Sequence, residues 1–210
     1  PTNLICHQMA NLRLVEIFRY YTEPKKVDCK KNNQSDKIQF DKFHKNVSIA
    51  KGIMKTNKIF WLLGFLFVCY AIAFLGSFAT NESLYPWYAN LQKGSWNPPA
   101  WVFAPVWMVL YFMIALSGWL IFIQKKSNLR SFSLYYYSLQ LLFNFLWSFL
   151  FFYFQNPLLS LFDIFLLLIF IALTIKTAWP ISKWASYLLI PYFLWTLYAS
   201  SLNGAIFYLN

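Results

Sequence analysis

Residues 131–175 read SFSLYYYSLQLLFNFLWSFLFFYFQNPLLSLFDIFLLLIFIALTI, and the only charge in that run is Asp163. A helix crosses a bilayer core with about 20 mostly apolar residues, so the run is too long for one span. Gln155-Asn156-Pro157 divides it with turn chemistry. Two apolar helices joined by so short a connection form an antiparallel membrane hairpin.

Outward from this hairpin the pattern repeats. Residues 59–81 carry no charge and are followed by Glu82 and Lys93. Residues 94–124 are again uncharged and end at Lys125, Lys126 and Arg130, while Lys176 and Lys183 precede an uncharged run from 184 to 210. Spans are therefore expected at about 59–79, 100–123, 132–154, 157–175 and 185–208. The fold class is an all-α membrane protein, a five-transmembrane-helix antiparallel bundle.

Composition supports this. The chain is 59% hydrophobic and only 12% charged, against roughly a quarter charged for a soluble domain. Residues 1–58 hold twelve of the 18 Lys+Arg and five of the seven Asp+Glu; eight charges remain for everything that follows. So few cannot keep a compact domain in solution. The net charge of +11 would suit nucleic acid, but it sits in a polar N-terminal stretch and at loop ends beside apolar runs. Membrane orientation puts positive charge in those places, and no nucleic-acid partner is expected. With the N-terminus inside, inner segments hold Lys55, Lys58, Lys125, Lys126, Arg130, Lys176 and Lys183, and outer ones only Lys93. That asymmetry predicts N-inside and C-outside. Both histidines, His7 and His44, precede the spans, which argues against histidine-ligated haem or metal there. Cys6, Cys29 and Cys69 form no ligand cluster, so no metal site is expected.

Residues 1–53 differ in kind, being rich in Lys, Asn, Asp and Gln. They are expected to be a polar basic tail, disordered or not native to the protein, with a lipid- or partner-binding arm as the functional alternative. Residues 54–210 form the membrane domain, and Met54-Lys55-Thr56-Asn57-Lys58 reads as its start.

All ten tryptophans lie after residue 58. Those at span ends suit an aromatic belt, whereas Trp107, Trp147 and Trp195 lie deeper. Asn144, Trp147, Ser148 and Phe151 share one face of the third helix, and Trp195, Ala199 and Asn203 one face of the fifth. Such faces are either interhelical hydrogen-bonding surfaces or the walls of a ligand pocket; spacing alone leaves both open. Asp163, the one ionisable group deep in a span, is a functional-site candidate by default. It equally suits a structural role near the start of the fourth helix. No nucleophile, base or metal set of an enzyme is present in the spans. Pro105 and Pro191 fall inside the second and fifth spans, where kinks are expected.

The run Ser95-Trp96-Asn97-Pro98-Pro99, Val102-Phe103-Ala104-Pro105-Val106-Trp107 and Leu110-Tyr111 closely resembles the TspO/translocator protein family, the tryptophan-rich sensory proteins and peripheral-type benzodiazepine receptors. Asn144-Phe145-Leu146-Trp147-Ser148 resembles that family's third helix, and Pro191-Tyr192-Phe193-Leu194-Trp195 with Ala199 and Leu202-Asn203 its fifth. The resemblance covers roughly 57–210. Departures are Gly94 where the family usually has Pro, Ala104 where many members have Gly, and no Lys or Arg after Tyr208, so a cholesterol role is unsupported.

The resemblance implies a membrane tetrapyrrole-binding sensor or regulator, with transport of the ligand as a further reading, the alternative being a porphyrin-degrading enzyme acting with light and the pocket tryptophans. It implies a pocket of Tyr88, Trp107, Asn144, Trp147, Trp195 and Ala199, with Asp163 and Lys93 as polar or loop partners. Lys93, the one basic residue on its side, is the expected partner of porphyrin carboxylates. No cofactor is required; a porphyrin or other hydrophobic small molecule is the expected ligand, with membrane lipid and a second copy of the chain as further partners.

Overall fold

A computed structural model describes residues 34–210, with side chains described from Lys58 onward except at 82 and 84. Helix α1 spans Gln34–Ser83, α2 Phe103–Phe122, α3 Asn128–Ser148, α4 Pro157–Ala178 and α5 Lys183–Leu209. No strand occurs among the described residues. Single wide turns at Leu84–Tyr88 and Phe149–Tyr153 close the ends of α1 and α3, and a 3-10 turn at Ala100–Val102 leads into α2.

The helix starts follow from local chemistry. Ser127, Asn156 and Ser182 are N-caps whose side chains accept from Arg130 N at 3.1 Å, Leu159 N at 3.0 Å and Ala185 N at 3.4 Å. Pro157 takes the first turn of α4, and Gln155 before it adopts the left-handed conformation at φ 50° that breaks the chain between α3 and α4. The Arg130 guanidinium donates twice to Phe122 O, at 3.0 and 2.6 Å, and so closes the C-terminus of α2.

Five long helices therefore stand where five spans are expected. Lys58–Asn81, Ala100–Phe122 and Pro157–Ala178 are long and apolar enough to cross a membrane. Helices α3 and α5 are long enough but diluted by buried polar residues: Ser133, Gln140 and Asn144 on one, Ser186, Thr196, Ser200 and Asn203 on the other. The surface has the opposite character. Phe67, Phe74, Met108, Phe162 and Leu194 are exposed, as suits contact with lipid rather than water.

Two expectations need correction. Helix α1 begins at Gln34, within the segment expected as a polar basic tail, and the expectations for 1–33 lie outside the described residues. Helix α3 starts at Asn128, a turn before the expected 132, because Ser127 caps it there. Pro105 lies in the first turn of α2, where no hydrogen bond is lost, and among the described residues only Pro191 sits in a helix interior.

Side-chain contacts give the packing of residues 58–210. Helix α1 meets α2 through Tyr70 Oη donating to Met108 O at 3.2 Å and Trp119 Nε1 to Lys58 O at 2.9 Å. It meets α3 through Phe65 against Tyr137. Phe143 stacks on Phe170 between α3 and α4, Ser186 Oγ donates to Ile175 O between α5 and α4, and Ser117 Oγ to Ala185 O between α2 and α5. The helices thus form a closed ring in the order α1, α2, α5, α4, α3. Gly118 is needed where three of them meet, since a Cβ there would run into the rings of Tyr137 and Phe65.

Candidate ligand site

Asn144, fully enclosed on α3, is the centre of the buried polar network. Its Oδ1 accepts from Tyr111 Oη at 2.5 Å, and its Nδ2 donates to Tyr192 Oη at 3.0 Å. One side chain therefore ties α3 to α2 and α5. The Trp107 ring lies against both tyrosines, 5.6 Å from Tyr111 and 6.3 Å from Tyr192 between centroids. Every hydrogen-bonding atom of the Asn144 amide in this network has a partner, which pins the indole of Trp107 in place.

Beside this network lies a cavity of about 10 Å³, lined by Trp107, Asn144, Trp147, Ile164, Leu167, Thr196 and Ala199. That is room for about one water molecule, against several hundred Å³ for a drug-sized ligand. The walls are aromatic and aliphatic, but three polar atoms at or beside them have no partner in the protein: Trp147 Nε1, Thr196 Oγ1 and Trp195 Nε1. Asp163, buried next to the lining residue Ile164, has its Oδ2 unpaired as well. Unpaired polar atoms in an apolar interior are costly and rare. Here they gather on α3, α4 and α5 around one cavity.

The segment between α1 and α2 covers this end of the bundle. Trp87 and Tyr88 pack on Phe151, which stacks on Trp147 at 5.2 Å between centroids. Gln92 N donates to Asn210 Oδ1 at 2.9 Å, and Asn210 Nδ2 donates back to Gln92 O at 3.0 Å. Tyr198 Oη donates to Trp96 O at 2.7 Å. These bonds latch the segment to α5. Burial pushes the Tyr88 phenol above its ordinary range, so it stays protonated at neutral pH.

Of the residues expected from sequence, Trp107, Asn144, Trp147 and Ala199 line the cavity. Trp195 stands beside it, half-buried against Phe103 and Tyr198. Tyr88 is in the covering segment rather than the wall. Lys93 is turned back into that segment: its Nζ donates to Ala89 O at 3.3 Å and Leu91 O at 3.1 Å and lies 4.6 Å from the centre of the Tyr88 ring. Sequence reasoning missed Thr196, Ile164 and Leu167 as wall, and Tyr192 as a partner of Asn144. Thr196 lies three residues before Ala199, on the same helical face, and that spacing was the available signal. Among the described residues no three His, Cys, Asp or Glu side chains gather to hold a metal ion.

Together these features define a helical membrane protein with a tryptophan-walled interior cavity beneath its longest connection. The chain belongs to the TspO/MBR family, whose signature matches residues 65–209. It is 45% identical over 140 residues to the tryptophan-rich protein TspO of Archaeoglobus fulgidus, covering 67% of this chain and 90% of that one. It is 34% identical to the tryptophan-rich sensory protein of Cereibacter sphaeroides, over 70% of this chain and 90% of the relative. The human translocator protein is 34% identical over 63% of this chain and 80% of its own length.

Proposed function

We propose that the protein is a membrane sensor or regulator that binds a tetrapyrrole in the cavity between α2, α3, α4 and α5. The observation that carries this is the set of buried, unpaired groups on Trp147, Thr196 and Trp195 around an otherwise apolar, indole-walled space. A porphyrin is a flat aromatic ring with carboxylates on one edge. Indole walls match its faces, and aromatic contacts contribute about 0.5–1.5 kcal/mol each beyond area burial. The names of the relatives, a sensory protein and a translocator, support a sensing or transporting role.

The cavity is far smaller than a macrocycle, so binding requires the latched segment 84–99 to lift and the near ends of α2 and α5 to part. Pro191 removes one backbone hydrogen bond from α5 just below this region, which eases that movement. The carboxylates stay at the mouth, where Lys93 can exchange its two carbonyl partners for them. Such an exposed pair is worth less than about 1 kcal/mol.

Titration of the purified protein with protoporphyrin, followed by porphyrin absorbance in darkness, tests the proposal. Trp107→Ala and Trp195→Ala should each weaken binding severalfold or more, while Lys93→Ala should weaken it mildly and only at low salt. Unchanged affinity in both folded tryptophan variants would place the porphyrin elsewhere. A parallel titration in light reports any degradation of the ring.

A further inference from the structure

One buried polar residue is unexplained by the network or by the cavity. Gln140 has no solvent exposure, and both atoms of its amide, Nε2 and Oε1, lack a partner in the protein. It stands four residues before Asn144, on the face of α3 that continues through Asn144 and Trp147 to Phe151. Its two polar neighbours on that face are satisfied. Tyr137 Oη donates to Ile114 O at 3.1 Å, and Asn144 is held by Tyr111 and Tyr192. Gln140 lies between these two links from α3 to α2, in a stretch where Ile114, Ile171 and Leu189 have no exposure either. A carboxamide that only filled space there would cost more than a methionine of similar size.

We infer that Gln140 is the deep end of the ligand site, and that it selects a ring-opened tetrapyrrole, whose terminal rings are lactams, over a closed porphyrin. The inference rests on the tetrapyrrole reading above and narrows it. A carboxamide presents an N–H donor and a carbonyl acceptor side by side. A lactam presents the same pair in complementary order, so the two join by paired hydrogen bonds. In a linear tetrapyrrole folded into a ring-like shape, the lactams lie on the edge opposite the two carboxylates. With the carboxylates at the mouth beneath residues 84–99, the lactam edge is the one that travels deepest. Gln140 and Trp147 are two helical turns apart along α3, about 10 Å, so a flat ligand laid on this face reaches from the indole to the amide once Asn144, which lies between them, releases Tyr111 and Tyr192. A closed porphyrin has only carbon substituents on that edge and leaves Gln140 unpaired.

The test is a pair of ligands against a pair of proteins. Biliverdin, as the linear tetrapyrrole, and protoporphyrin are titrated in darkness against the intact wild-type chain and against Gln140→Met. The wild type should bind biliverdin more tightly. Gln140→Met should weaken biliverdin by about tenfold, the worth of one to two buried hydrogen bonds, and leave protoporphyrin unchanged. Protoporphyrin binding also certifies that the variant is folded. Equal loss of both ligands would make Gln140 a structural residue, and unchanged biliverdin affinity would remove it from the site; either result overturns the inference. The comparison of the two ligands on the wild type needs no variant, and tighter protoporphyrin binding there overturns it too. If neither ligand binds the wild type, the tetrapyrrole reading itself fails, and this inference with it.

Discussion

In the half of the bundle remote from residues 84–99, Ser117 donates to Ala185 O, Ser186 to Ile175 O and Tyr137 to Ile114 O. In the half beneath that segment, Trp147, Trp195, Thr196 and Asp163 each leave a buried polar atom without a protein partner. Both halves bury polar side chains in an apolar surrounding; the remote half satisfies its groups from within, with the exception of Gln140 at its border. The near half does close its α4–α5 seam, where Asn203 accepts from Ser160 Oγ at 2.8 Å and donates to Pro157 O at 2.8 Å. Its unpaired groups therefore concentrate on the cavity and are not a general looseness of packing. The remote half acts as the scaffold that fixes helix positions, and the near half holds the unpaired groups on which the proposed ligand site rests.

Three substitutions would break or sharpen this contrast, all read by equilibrium unfolding in one detergent. The largest effect is expected for Gly118→Ala in the scaffold. The added Cβ meets two rings, and overpacking of this kind costs about 2 kcal/mol; a neutral result would mean that the scaffold is not tightly packed. Ser117→Ala removes one satisfied hydrogen bond from the same half. It should cost about 0.6–1 kcal/mol, the usual worth of an interhelical hydrogen bond within a membrane protein. Thr196→Val is the smallest and sharpest of the three. It keeps the shape and deletes a hydroxyl that has no partner, so stability should stay the same or rise slightly. A loss as large as that of Ser117→Ala would show that Thr196 is bonded in the folded protein and would erase the difference between the halves.

The candidate site was legible from sequence in part. Trp107, Asn144, Trp147 and Ala199 were implied by the family resemblance of the motifs that carry them, helical spacing alone leaving pocket wall and interhelical contact both open, and all four line the cavity. Leu167 and Ile164 were not, since nothing in an all-apolar helix such as α4 distinguishes a residue facing a cavity from one facing lipid. Lys93 was read as a free cation for its charge alone. Its bonds to Ala89 O and Leu91 O depend on the path of a loop that no periodicity predicts.

What the sequence determined by itself is the number of helices and where they start and stop. Those follow, to within about a turn, from quantities summed along the chain: runs without charge, the Gln155-Asn156-Pro157 break and basic residues at loop ends; the caps at Ser127 and Ser182 emerge only in the structure. What only the tertiary structure decided is which polar groups meet. Tyr111 and Tyr192 reach Asn144, Ser117 reaches Ala185 O, and Gln140 reaches nothing. Those pairings depend on the rotation of each helix about its axis and on its register against its neighbours. In a membrane the lipid-facing and protein-facing sides of a helix are nearly equal in hydrophobicity. The periodic contrast that reports rotation in a soluble protein is therefore weak here, and packing alone settles it.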